Sequence, residues 1–135
     1  VNHFPPDVID EVFRRISLFC EPGAVFIFDV NTLYKFSYLL NGGTFTYETE
    51  DVYCVWSSEF DEKKADIKID VFELTGDNTY ERFCENVTEY YYSEQELAAL
   101  LDRHGFDLLT VNADYTQSQP TKNTQRINCV ARKRK

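Results

Sequence analysis

The run Pro22-Gly23-Ala24-Val25-Phe26-Ile27-Phe28-Asp29-Val30-Asn31-Thr32 constrains the fold more than any other stretch of this chain. It is apolar without alternation and lies between a Pro-Gly turn and polar residues, the pattern of a strand buried on both faces in a parallel sheet. Parallel strands need partners delivered by crossover connections. The residues before Pro22 leave room for one helix and no earlier strand, so the chain reads as the second half of an α/β domain.

The flanking sequence fits that reading. Pro5-Pro6 followed by Asp7, Asp10 and Glu11 marks a helix start, with proline in the first turn and acids at the positive end of the helix dipole. Val8, Ile9, Val12, Phe13, Ile16, Phe19 and Cys20 recur at helical spacing, which predicts a helix from Asp7 to Cys20 with Arg14 and Arg15 facing water. Thr32 to Leu40 predicts a short helix closed by Asn41-Gly42-Gly43. From Thr44 to Tyr92 the period changes to two, with turns at Asp61-Glu62-Lys63-Lys64 and Thr75-Gly76-Asp77-Asn78, which predicts an antiparallel meander of three or four strands with one polar face. Ser93-Glu94-Gln95-Glu96 is a capping box that opens a helix carrying Leu97, Leu100 and Leu101 and stopped by His104-Gly105. Two strands follow, Phe106 to Asn112 and Gln125 to Lys133, joined by a polar loop holding Pro120.

A net charge of −9 over 135 residues argues against a nucleic-acid or anionic-membrane surface, where a basic face supplies most of the affinity. The basic end Arg132-Lys133-Arg134-Lys135 reads as a solvated terminus. Cys20, Cys54, Cys84 and Cys129 are far apart in apolar or strand-like stretches, which predicts four free thiols and a reducing, cytoplasmic setting. With no Cys-x-x-Cys pair and only His3 and His104, no metal site is expected. No apolar run approaches the roughly 20 residues of a membrane span. The chain opens on Val1 and contains no Met, which fits a piece of a longer chain.

Asp29, Asn31 and Thr32 end the apolar strand, and ligands of open α/β sheets bind beyond the carboxyl ends of strands. The competing role for Asp29 or Asn31 is to cap the next helix. Trp56, on an alternating strand, reads as core packing, and His104 as a helix C-terminal residue. The acidic groups Glu48, Glu50, Asp51 and Glu59, Asp61, Glu62 lack the spacing of a calcium loop and read as solvated turns.

The helix Asp7 to Cys20, the block Pro22 to Thr32, then Tyr91-Tyr92-Ser93-Glu94-Gln95-Glu96-Leu97 with Leu100-Leu101 and Gly105-Phe106, and finally Arg126 to Lys133, resemble in order and spacing the C-terminal half of a class I S-adenosylmethionine-dependent methyltransferase. The similar branch carries an antiparallel insertion after the fifth strand. The fold class implied is α/β, α+β in appearance: a Rossmann-like portion in residues 1-43 and 93-135 and an inserted antiparallel β-meander in residues 44-92. The resemblance implies S-adenosylmethionine as cofactor and a small-molecule substrate. It implies a base in His3, cofactor contact at Asn2, and a substrate pocket lined by Asn31, Tyr34 and Tyr92. The family's glycine-rich cofactor loop has no counterpart here, since the five glycines are scattered and no Gly-x-Gly occurs. The expectation is therefore a substrate-side portion inactive without an N-terminal cofactor half, with self-association through an exposed sheet edge. The alternative is a non-catalytic antiparallel α+β small-ligand-binding module or a regulatory subunit. Residues 24 to 30 discriminate: parallel neighbours favour the transferase, an antiparallel and closed setting the module.

Overall fold

The computed structural model describes residues 1–76 and 78–135. In chain order it contains α1 (Pro6–Phe19), β1 (Val25–Asn31), a π-helical turn (Lys35–Leu40), β2 (Gly43–Glu48), β3 (Val52–Asp61), β4 (Lys64–Gly76), β5 (Thr79–Tyr90), α2 (Glu94–Arg103), β6 (Phe106–Ala113) and β7 (Arg126–Lys133). Asp77, part of the expected β4–β5 turn, lies outside the described residues. The strands form two sheets, ordered β1-β7-β6 and β2-β3-β4-β5.

The first sheet carries the larger core. Pro6 and Asp7 start α1, which buries Ile9 and Phe13, while Glu11 accepts hydrogen bonds from Arg14 and Arg15 on the outer face. Val8 and Phe19, expected on the inner stripe, are exposed. Phe13 meets Phe26 and Phe28 edge to face, at centroid distances of 5.5 and 5.3 Å. Such contacts favour the packing beyond simple area burial. From the other side of the chain, α2 brings Leu97 and Leu101 onto Phe106, Ile127, Cys129 and Ala131. The Ser93 hydroxyl and the Glu96 carboxylate close both halves of the capping box at the start of α2.

Strand β1 corrects one expectation. It pairs antiparallel with β7 along its whole length, from Val25↔Arg132 to Asn31↔Arg126, and has no parallel neighbour among the described residues. Nor is it buried on both faces. Phe28 and Val30 are buried, whereas Val25 is 53% and Ile27 63% exposed. The continuous apolar run is the right sequence for two-sided burial, but only the α1 layer covers it here. The other face is open at Val25 and Ile27, and no strand pairs with the second edge of β1 among the described residues.

The second sheet is the antiparallel meander, in the register Phe45↔Trp56↔Ile69↔Glu85. The π-turn between β1 and β2 lays Phe36 and Leu40 on its inner face, against Phe60, Ala65, Phe45 and Trp56. Phe45 and Trp56 stack at 4.2 Å, the packing role expected for Trp56. Lys63, in the β3–β4 turn, donates to Glu96 of α2 at 2.7 Å and ties this sheet to the main core.

Candidate functional site

The carboxyl end of β1 meets the end of β5, and polar side chains gather where they join. Asn2 bridges them. Its Oδ1 accepts from the backbone N–H of Asn31 and its Nδ2 donates to the Tyr90 carbonyl, both at 2.8 Å, while the Tyr90 N–H donates to the Asn2 carbonyl at 2.7 Å. These buried groups are thereby satisfied, as a low-dielectric position requires.

Asn31 is buried and turns its carboxamide into the junction. Its Nδ2 donates to Glu89 Oε2 at 2.8 Å, and its Oδ1 accepts from Lys35 Nζ at 3.1 Å. The capping role falls instead to Thr32, whose hydroxyl accepts from the Lys35 N–H. Asp29 is also engaged elsewhere, bound by the Arg126 guanidinium and by the Tyr115 hydroxyl at 2.9 Å. Burial pushes the Asp29 carboxyl up, but those two donors outweigh it and hold it below the usual range.

Glu89 is the centre of the arrangement. Its side chain is 15% exposed and its second oxygen lies 3.7 Å from Nε2 of His3, whose ring is 64% exposed. Burial pulls the Lys35 ammonium below the usual lysine range, and Arg126 acts in the same direction; Glu89 and Asp29 act against it. A carboxylate, an imidazole, an ammonium and a carboxamide thus share one junction that is open on the His3 side. Such a set can hold a polar group by hydrogen bonds and take up a proton at the imidazole or the carboxylate.

The other expected residues are placed differently. Tyr34 is half-buried at the head of the π-turn and stacks on Tyr38 at 5.4 Å. Tyr92 is buried in the main core, and its hydroxyl donates to the Phe4 carbonyl at 2.6 Å. Burial pushes that phenol up to about 12. So Asn2, His3 and Asn31 come together, Tyr34 stands on the neighbouring turn, and Tyr92 belongs to the packing. Asn2 spends one N–H and one oxygen lone pair of its carboxamide within the protein. Sequence reasoning missed Glu89 and Lys35. The alternation of β5 did carry a signal for Glu89, which stands opposite Ala65 on the inner face.

No protein-family model matches the chain. Methyltransferase relatives do. YqeM of Bacillus subtilis (strain 168), named as a methyltransferase, is 28% identical over 130 residues, 96% of this chain and 52% of the relative. A crystal structure of a S-adenosylmethionine-dependent methyltransferase from Clostridium acetobutylicum superposes with a TM-score of 0.88 at 27% identity, covering 99% of this chain and 55% of that one. The CcbJ methyltransferase from Streptomyces caelestis shares the fold with a TM-score of 0.75 at 15% identity, over 94% of this chain and 53% of its own. The chain spans about half the length of the curated relatives it matches.

Proposed function

Because the chain has the fold of about half of a class I S-adenosylmethionine-dependent methyltransferase, we propose that it is the C-terminal, substrate-side portion of such an enzyme. It acts on a small molecule in a cytoplasmic setting and is inactive without the N-terminal cofactor half. The observation that carries this reading is the order β1-β7-β6 with the second edge of β1 unpaired among the described residues, in a chain that superposes on about half of a solved methyltransferase. Such an edge is a template for further strands. It suits pairing with the cofactor half, and self-association when that half is absent.

None of the glycines of this chain opens a helix that could offer free N–H groups to S-adenosylmethionine, so the cofactor is held mainly by the N-terminal half. The part played by this chain is with the nucleophile. Asn31 and Glu89 hold and orient it, His3 takes its proton, and Glu89 keeps the imidazole aimed into the junction, positioning work that such chemistry depends on. No helix among the described residues is long and apolar enough to cross a membrane.

The test is calorimetry with S-adenosylmethionine on the isolated chain, beside a methyl-transfer assay on the longer protein that contains it. No micromolar binding to the chain, together with turnover by the longer protein, is the expected result. Micromolar binding to the chain alone would sink the division of labour. The antiparallel setting of β1 also suits a non-catalytic binding module, and a longer protein with no turnover on any nucleophile would favour that second reading.

A further inference from the structure

We propose that the inner face of the β2–β5 sheet is a docking face for a small amphiphilic cation, an amine carried on an apolar body, and that this is the substrate class of the junction at Glu89. The proposal rests on the methyltransferase reading and gives its substrate a charge.

Charge distribution is the first ground. Thirteen of the 23 acidic residues but only four of the 14 basic ones lie between residues 43 and 92, so the segment holding the meander carries the whole net charge of −9. The two faces of the sheet share that charge unequally. Register and alternation put Lys64, Lys68 and Arg82 on the outer face. There they pair with acids: Lys64 with Asp66 at 2.8 Å, Arg82 with Asp70 at 2.6 Å and Lys68 with Asp70 at 3.5 Å. The same register puts Glu73, Glu81, Glu85 and Glu89 on the inner face, with no Lys or Arg among its described strand residues. Of the four, only Glu89 has an ion-pair partner among the described residues, and that partner is His3.

The apolar floor is the second ground. The π-turn covers only the half of the inner face near Phe60 and Ala65. Beyond it the row Tyr47↔Cys54↔Val71↔Phe83 crosses the sheet, with Tyr47 63% and Phe83 48% exposed. Glu81, Glu85 and Glu89 recur every fourth residue along β5, about 13 Å apart at the rise of an extended strand. They form a rail that ends at the junction with His3 and Asn31. An apolar face left open is unfavourable in water, and Glu73 and Glu81, directly opposite each other across β4 and β5, repel. A ligand with an apolar body and a positive charge relieves both, and aromatic faces such as those of Tyr47 and Phe83 add attraction for a cation. A neutral ligand relieves only the first, and an anion worsens the second. The rail leads to a proton acceptor, so a small amine is favoured over a second copy of the chain.

Trp56 is the only tryptophan and sits on this face beside Ile69 and Glu85, so its fluorescence reports occupancy. Octylammonium chloride is titrated into the 135-residue chain, beside octanol and octanoate. The expected result is a saturable Trp56 shift with octylammonium at an affinity about fivefold above that of octanol, as one partly exposed ion pair supplies. Glu85→Gln lowers it about threefold, and Glu59→Gln on the outer face leaves it unchanged. Equal affinity for octanol, tighter octanoate binding, or no saturable shift overturns the proposal. So does a concentration-dependent dimer abolished by Phe83→Asp and unaffected by octylammonium, which would give the face to a second copy. The two readings fail separately. Octylammonium selectivity in a protein whose longer form methylates nothing leaves the docking face and removes the methyltransferase; turnover of a neutral nucleophile, with no charge preference in the chain, does the reverse.

Discussion

Asn2 and Glu89 do the joining at the carboxyl end of β1, one with its carboxamide and the other with its carboxylate. Asn2→Ala would strand the Asn31 N–H and the Tyr90 carbonyl in a buried position, at a cost of about 2–3 kcal/mol. Urea unfolding of the variant is expected to show that loss. Cys129 gives a prediction in pH. Burial pushes its thiol from 9.0 up to about 11, so the folded state favours the neutral form. Stability from this group is fully present below pH 9 and is lost as the pH rises through about 11. The linkage is worth about 3 kcal/mol. Unfolding midpoints between pH 8 and 11 should therefore fall in the parent chain and flatten in Cys129→Ala; equal slopes would contradict the assignment. Of the site, Asn31 was legible because a position at the end of an apolar strand is visible in one dimension. Glu89 was not, since its contact with Asn31 spans 58 residues and depends on how the meander folds back.

At the scale of elements, the helices and the hairpin of β6 and β7 were legible because each is written in local signals: proline and acids for α1, a capping box for α2, and alternation with a polar loop for the hairpin. Glu96 shows how much one such signal holds. Burial raises its carboxyl, yet Lys63 and the Ser93 cap outweigh that and hold it down to about 2. A depressed pKa means that this contribution is present above the ordinary value of 4.5 and disappears as pH falls through about 2. Ser93→Ala is expected to lower thermal stability by about 1 kcal/mol and to shallow the acid limb of the pH profile. An unchanged acid limb would show that Lys63 and the Ser93 backbone N–H hold the Glu96 pKa down without the hydroxyl. The misjudged element was β1. Its composition records two-sided burial, but composition does not reveal which layer or strand supplies each side.

For the whole molecule, the division into two sheets sets what is exposed. Val25 and Ile27 stand out from a strand whose second edge is unpaired among the described residues, a combination that invites edge pairing. Ile27→Lys should reduce the mass found by light scattering at high concentration without lowering the unfolding temperature, because the side chain it replaces is already mostly in water. A strictly monomeric parent chain would remove the basis of that expectation. The legible part of the architecture was the switch in period from 3.6 to two and back, which located the meander. What the period could not reveal is that the basic residues of the meander's strands share one face with acids, while Glu73, Glu81, Glu85 and Glu89 share the other with no Lys or Arg among its described strand residues.

The π-turn from Lys35 to Leu40 links the two sheets, and its geometry bears on how the length of this connector can change. A π-turn holds one more residue per hydrogen-bonded loop than an α-turn, here closed by the Asn41 N–H on the Phe36 carbonyl at 3.0 Å. Removing a single residue would tighten it to α geometry and swing Leu40 by about 100° around the axis, off the sheet it now covers. The linker is therefore counted to the residue, and insertions or deletions tolerated in the polar loop around Pro120 would not be tolerated here.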